Sequence, residues 1–165
     1  MLSLLKRIKD SQLQSQSMPN APTSVLFVCL GNICRSPLAD GIFTHLVNEQ
    51  GLADQFRIDS CGTGAWHVGN PPDPRSILVA AKYNIDLTNL RARRFDSETM
   101  DVSNQRELIK QGTPKDKVRL MRSFDLTIKG NKAPDVPDPY YGGDDGFDKV
   151  YEMLMRACKG MLEMI

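Results

Sequence analysis

The chain has 165 residues, a formal charge of +1 and 25% charged residues. That length suits one domain with a full core, and the composition is close to the average for a water-soluble globular protein. So small a net charge sets up no field for nucleic acid or an anionic membrane, and no apolar run is long enough to span a bilayer.

Residues 1–22 differ from the rest. MLSLLKRIKD has the makings of an amphipathic turn or two, and SQLQSQSMPNAP is too rich in Gln, Ser and Pro to bury much. The segment lacks the continuous apolar stretch of a signal peptide. It is expected to be a disordered extension, leaving 23–165 as the folded domain. Ser24–Leu30, SVLFVCL, then reads as a parallel strand buried on both faces. Ser36-Pro37 opens a helix, because proline suits the first turn, and Leu38, Ile42, Leu46 and Val47 share its apolar face up to Gly51. Gln55–Thr63 alternates as an edge strand and runs into a Gly-rich loop. Pro71, Pro72 and Pro74 mark a further loop. Pro74–Tyr83 reads as a helix, with Asn84 suited to a left-handed cap. Asp101 or Ser103 caps a helix running to Gly112, and Lys117–Met121 is a short strand. Ala133–Gly146 is a long loop rich in breakers. The last helix carries one apolar stripe: Phe147, Val150, Tyr151, Leu154, Ala157, Cys158, Met161, Leu162 and Ile165. Strands alternating with helices imply an open α/β sheet with helices on both faces.

The cysteines, Cys29, Cys34, Cys61 and Cys158, are too sparse for a disulfide scaffold, which points to a reducing, cytoplasmic compartment. With only His45 and His67 available, and no close Cys/His cluster, no zinc or other metal site is expected.

The informative stretch is VLFVCLGNICRSPLAD, Val25–Asp40. Ligands bind beyond the carboxyl ends of the strands in open α/β sheets, and Cys29 ends the expected central strand. The loop from Cys29 to Arg35 feeds a helix N-terminus, where unpaired N–H groups and the helix dipole attract anions. Cysteines in such fields have pKa values of roughly 3.5 to 7.5, and the thiolate is the nucleophile. Arg35 supplies a planar fork for two oxygens of a tetrahedral oxyanion. Ser36 can donate to the sulfur, Gly31 lets the loop close, and Asn32 tolerates a left-handed backbone. These parts bind phosphate and aim sulfur at phosphorus. The Walker spacing is absent, so nucleotide binding is not indicated. Phosphoryl transfer also needs a proton donor. Asp138, stiffened between Pro137 and Pro139, stands out, with Asp135, Asp144 and Asp145 as alternatives.

Cys29-Leu30-Gly31-Asn32-Ile33-Cys34-Arg35-Ser36-Pro37, followed by Asp138-Pro139-Tyr140-Tyr141, resembles the low-molecular-weight protein tyrosine phosphatases. Asp59-Ser60, Trp66 and Gly69-Asn70-Pro71-Pro72-Asp73 match between the two motifs. The resemblance implies a three-layer fold with an open, four-stranded parallel sheet, and hydrolysis without metal or cofactor. It implies that Cys29 becomes phosphocysteine, that Arg35 and the loop hold phosphate, and that Asp138 protonates the leaving oxygen. It places Asn32, Ser36 and Ser60 in a network shaping the loop, and Trp66, Tyr140 and Tyr141 around the substrate ring. The partners implied are phosphotyrosine proteins or peptides, met by a monomer. Cys34 matches a residue that forms a reversible disulfide with the nucleophile.

The family often carries histidine where Tyr83 stands, in the network supporting Asn32. It also carries a longer segment between the Ala92-Arg93 and Met100-Asp101 matches, including an apolar strand. Here RRFDSETMD has only Phe95 and Met100 as large apolar residues, so around 94–101 one inner strand is either polar or missing. Two alternatives follow. One is a phosphate- or phosphotyrosine-binding member without turnover. The other is an arsenate reductase, for which Cys61 and Cys158 are badly spaced. Phosphoarginine phosphatases of the family tend to have threonine at the position of Ile33.

Overall fold

The computed structural model describes residues 22–95, 118–130, 133–143 and 145–164. Among them, strands β1 (Thr23–Cys29) and β2 (Phe56–Gly62) form a parallel ladder, in register from Thr23 opposite Phe56 to Cys29 opposite Gly62. Helix α1 (Arg35–Glu49) is the crossover between them, as parallel pairing requires. Helix α2 (Pro74–Ala81) follows β2, and helix α3 (Gly146–Met164) closes the order.

The alternation of β1 sorts its side chains onto two faces. Phe27 points into the larger core with Leu38, Ile42, Phe43, Val79, Val150 and Leu154, contributed by all three helices. Leu26 and Val28 point the other way, against Cys61, Phe95 and Val118. Phe43 is fully buried, edge-on to Phe27 at 5.8 Å and to Phe56 at 5.4 Å. Its burial contributes about 1.5–3 kcal/mol before any gain from ring geometry. No helix among the described residues is long and apolar enough to cross a membrane.

Local sequence explains the element ends. Gly51 at φ 69° lets Leu52 N–H reach Val47 O at 2.8 Å, closing α1. Asn84 at φ 59° does the same after α2, with Ile85 N–H on Ala80 O at 3.1 Å. That turn takes Lys82 and Tyr83, so the helix expected to reach Tyr83 ends at Ala81. Gly160 permits the closest packing of α3: a Cβ there would stand 1.9 Å from Phe124 O.

The described residues follow the expected α/β pattern, with one difference. The strand expected at Lys117–Met121 is not continuous: Val118 makes an isolated bridge, and Met121–Phe124 turn as a 3-10 helix. Arg122 and Ser123 then stand outside any ladder, and the buried Met121 and Phe124 join the helical core. Among the described residues, β1 and β2 form the ladder and the three helices share one core, on the Phe27 side. The helix expected from Asp101 or Ser103 to Gly112 lies outside the described residues, as do residues 1–21 and most of the shortened 94–101 segment. Its beginning is visible: Arg94 bridges Gly62, Phe95 N–H donates to Gly62 O at 2.7 Å, and the Phe95 ring is buried.

One buried charge makes stability depend on pH. Asp40 lies on the inner face of α1, with the Thr44 hydroxyl donating to it at 3.4 Å. Burial pushes its carboxyl from the usual 3.8 up to about 6; the nearby Ser60 hydroxyl opposes the shift and Asp59 adds to it. The native state therefore holds a proton that the unfolded chain has already lost between these values. Stability from this group is greatest in acid and falls as pH rises through about 6, a loss of about 3 kcal/mol. Asp40→Asn is expected to melt above the parent protein at about pH 8, with the gap closing below about pH 4. A gap constant with pH in thermal melts contradicts this.

Candidate active site

The loop from Cys29 to Arg35 leaves β1 and enters α1 beside the end of β2. Its shape follows from where its carbonyls go. Cys29 O accepts Thr63 N–H at 2.9 Å, Leu30 O accepts Gly64 N–H at 2.8 Å, and Ile33 O accepts Asp73 N–H at 2.7 Å. Cys34 O accepts the Ser76 hydroxyl at 3.3 Å. All four point out of the loop. A trans peptide unit directs its N–H opposite to its C=O. The N–H groups of Leu30, Gly31, Cys34 and Arg35 are thereby turned to the inner side. The first turn of α1 carries no side-chain cap, so its N–H groups add to the same field.

Asn32 makes the turn possible. It sits at φ 55°, buried, where an asparagine is tolerated and most side chains are strained. Its Oδ1 accepts Arg93 N–H at 2.9 Å, and its Nδ2 donates to Ser36 Oγ at 2.9 Å. Its backbone N–H donates to Cys29 Sγ at 3.3 Å. Ser36 Oγ lies 3.0 Å from that sulfur and 3.2 Å from Cys61 O. The hydroxyl has one proton; a thiolate at Cys29 claims it, since sulfur then has none to offer.

Cys29, Arg35 and Asp138 line one cavity of about 310 Å³. Leu30, Gly31, Ile33 and Cys34 line it as well, while Asn32 and Ser36 lie beneath. Trp66, Tyr140 and Tyr141 stand at its mouth, 73%, 41% and 92% exposed. The Trp66 ring lies over Gly64, where a Cβ would stand 1.9 Å from it. Arg35 spans the cavity: Nη2 holds Asp138 Oδ2 at 2.6 Å and Nη1 donates to Val136 O at 3.4 Å. Its Nε is buried with no partner among the described residues. Of the alternatives to Asp138, Asp135 lines an adjoining cavity that Cys29 and Arg35 also border, Asp145 pairs with Lys149, and Asp144 lies outside the described residues.

Some expected residues stand elsewhere. Ser60 is buried on β2, where its hydroxyl acts on Asp40 and its N–H takes Asp59 Oδ1 at 2.7 Å. Tyr83 makes none of the hydrogen bonds given for Asn32 among the described residues: its ring stacks on Tyr151 at 4.0 Å. The support for Asn32 comes from Arg93 instead, itself paired with Asp59 at 2.6 Å. The four thiols are free. Burial, then Asp73, pushes the Cys34 thiol up to about 12, and Cys34 lines the same cavity as Cys29. Burial also pushes Cys61 up to about 12, within the Leu26–Val28 cluster; Cys158 lies under α1, its thiol toward Ala39 O at 3.8 Å. Neither lines the cavity that holds Cys29.

Sequence reasoning missed His67, Gly62, Asp73 and Arg75. His67 lines the cavity against Gly31. Asp73 caps α2 by accepting Arg75 N–H at 2.9 Å, a pattern that Asp-Pro at a helix start does signal. Gly62 left no signal, because its constraint is tertiary: a Cβ would stand 2.9 Å from Leu30 O and 3.0 Å from Asn32 N.

A cysteine and an arginine bracketing a loop of inward N–H groups, with a carboxylate across the cavity, define a cysteine-dependent phosphate-handling protein. The family model described as "Low molecular weight phosphotyrosine protein phosphatase" matches residues 24–165. The human protein of that name is 38% identical over 156 residues, covering 87% of this chain and 96% of its own. The low molecular weight protein-tyrosine-phosphatase of Streptomyces coelicolor is 41% identical over 153 residues, covering 86% and 92%. A crystal structure of protein tyrosine phosphatase from Entamoeba histolytica, with Hepes in the active site, superposes with TM-score 0.77 at 33% identity, over 86% and 95% of the two chains. The chain belongs to the low-molecular-weight phosphotyrosine protein phosphatase family.

Gly62→Ala tests the loop geometry. The added methyl meets backbone on the phosphate loop, which has nowhere to retreat without breaking its outward bonds. The variant is expected to melt cooperatively yet bind inorganic phosphate about tenfold more weakly, read by calorimetry. Unchanged affinity contradicts the tight approach of β2 to the loop.

Proposed function

We propose that this protein hydrolyses phosphotyrosine in proteins or peptides, and small aryl phosphates, through a phosphocysteine intermediate. The observation that carries this reading is that the Cys29 sulfur, the Arg35 guanidinium and the Asp138 carboxyl share one cavity. Phosphate oxygens take the inward N–H groups and the Arg35 fork, including Nε. Binding moves Arg35 from Asp138 to the phosphoryl group and frees the carboxyl for the leaving oxygen. The Cys29 thiolate attacks phosphorus: the S–P bond forms, the P–O(aryl) bond breaks, and Asp138 passes its proton to the phenolate oxygen. Water then attacks the phosphocysteine, giving its proton to Asp138. The S–P bond breaks, and inorganic phosphate and the thiolate are released.

Ser36 and Asn32 stabilise that thiolate by donating to it through the contacts described above. Trp66, Tyr140 and Tyr141 favour an aryl ring, which spans the distance from the mouth to the sulfur. Free thiols accord with a reducing, cytoplasmic compartment. The near-neutral charge sets up no strong field toward nucleic acid or an anionic membrane, and phosphotyrosine chains, met by a monomer, are the partners proposed.

Cys29→Ser is expected to abolish turnover of para-nitrophenyl phosphate while still binding vanadate. Turnover surviving in Cys29→Ser contradicts the proposal. Vanadate binding without turnover in the parent protein favours a binding-only member. Asp138→Asn is expected to lower kcat/KM for phenyl phosphate about 10²-fold or more, with a much smaller loss for para-nitrophenyl phosphate, whose phenolate leaves unaided. An equal loss for both esters removes Asp138 from the role of acid.

A further inference from the structure

The loop Ala133–Gly143 that carries Asp138 has no regular structure among its described residues, and three prolines and two glycines break it. A general acid nevertheless needs placement to within about 0.5 Å. Val136 packs against the larger core, and among the described residues a few side-chain hydrogen bonds tie the loop to the body. Arg122 Nη1 donates to Asp135 O at 3.5 Å, and Arg35 holds Val136 O and Asp138. Both Arg35 ties involve the group that a phosphoryl dianion claims. On the C-terminal side, among the described residues, one cation remains. Arg75 Nη1 donates to Tyr140 O at 3.3 Å, and its guanidinium lies 5.5 Å from the Tyr140 ring centre and 4.5 Å from that of Phe147.

Arg75 is itself held firmly. Its Nε meets Asp73 Oδ1 at 3.0 Å and its Nη2 meets Asp73 Oδ2 at 2.8 Å, a two-pronged pair. Asp73 is 8% exposed, and the Arg75 fork holds its carboxyl below the usual carboxylate range. The same first turn of α2 grips the other half of the site, through Asp73 N–H on Ile33 O and Ser76 Oγ on Cys34 O. One helical turn thus sets the spacing between the phosphate loop and the acid loop.

Building on the phosphatase reading above, we propose that Arg75, braced by Asp73, is a positioning residue that holds the Asp138 loop in place once substrate has taken Arg35. The fork matters as well as the charge: a lysine ammonium cannot grip both Asp73 oxygens and still reach Tyr140 O.

The test measures kcat/KM of Arg75→Lys, Arg75→Ala and Asp73→Asn against aryl phosphates whose phenols range from para-nitrophenol to phenol, with vanadate affinity alongside. Phenyl phosphate is expected to lose about tenfold and para-nitrophenyl phosphate less than about threefold, with vanadate affinity kept. The dependence on leaving-group basicity therefore steepens. Equal losses for every ester, or none, overturn the positioning role, because a general structural defect does not select among leaving groups. If Arg75→Ala fails to fold, the Lys and Asn variants carry the comparison. If the parent protein turns over no ester at all, the phosphatase reading itself fails, and the positioning role with it.

Discussion

Everything at the site depends on the carbonyls of the Cys29–Arg35 loop being held outward. Each outward bond turns a neighbouring N–H inward, and a ring of such donors is favourable only around an anion. Asn32 is the hinge of this arrangement. Its left-handed backbone reverses the chain, and its amide is gripped on both sides, by Arg93 N–H and by Ser36 Oγ. The surrounding elements supply the partners: the turn after β2 through Thr63 and Gly64, the start of α2 through Asp73 and Ser76, and the segment after α2 through Arg93. The fold is in this sense a frame that fixes a loop whose shape suits a ligand better than it suits itself.

The same frame explains why the site tolerates its own charges. Arg35 is only 23% exposed and carries a buried, unpartnered Nε. Its pairing with Asp138 offsets part of the cost of holding a cation there before substrate arrives. In the proposed mechanism a phosphoryl group offers more oxygens in a better geometry for the fork, and the pair opens for it. Substrate binding and release of the acid are then one event of that mechanism. The arrangement places a demand on the acid loop, which at that moment loses its strongest tie.

The parts of the site that were legible in the sequence are those encoded locally. A buried run ending in cysteine, a glycine and an asparagine suited to a tight reversal, and an Arg-Ser-Pro helix start all lie within one short stretch, and the structure brings Cys29, Gly31 and Arg35 into one cavity with Asp138 while Asn32 and Ser36 lie beneath it. Helix α3 was legible from its stripe, and the caps at Gly51 and Asn84 from their residue types. What the sequence did not disclose are contacts between distant segments. The Arg93 N–H on Asn32 is a backbone group and has no residue signature. The requirement for glycine at Gly62 comes from a neighbouring loop, not from its own backbone angles. Arg75 reads as one surface arginine among many until its reach to Tyr140 O is seen. Tyr83 was misplaced because a position matched by resemblance turns, in this chain, toward Tyr151. The strand expected around Val118 failed because a short apolar run does not distinguish a ladder from a single bridge followed by a 3-10 turn.

The central claim is chemical: the Cys29 sulfur takes the phosphoryl group. It is tested most directly by mixing the protein with para-nitrophenyl phosphate, quenching in acid within the first turnovers, and mapping the phosphoryl group by mass spectrometry of the peptides. The mechanism requires a phosphoryl mass increment on the peptide spanning Cys29, labile as a thiophosphate ester is, and absent from Cys29→Ser. A phosphoryl group on any other residue, or ester hydrolysis with Cys29 unmodified throughout, contradicts it.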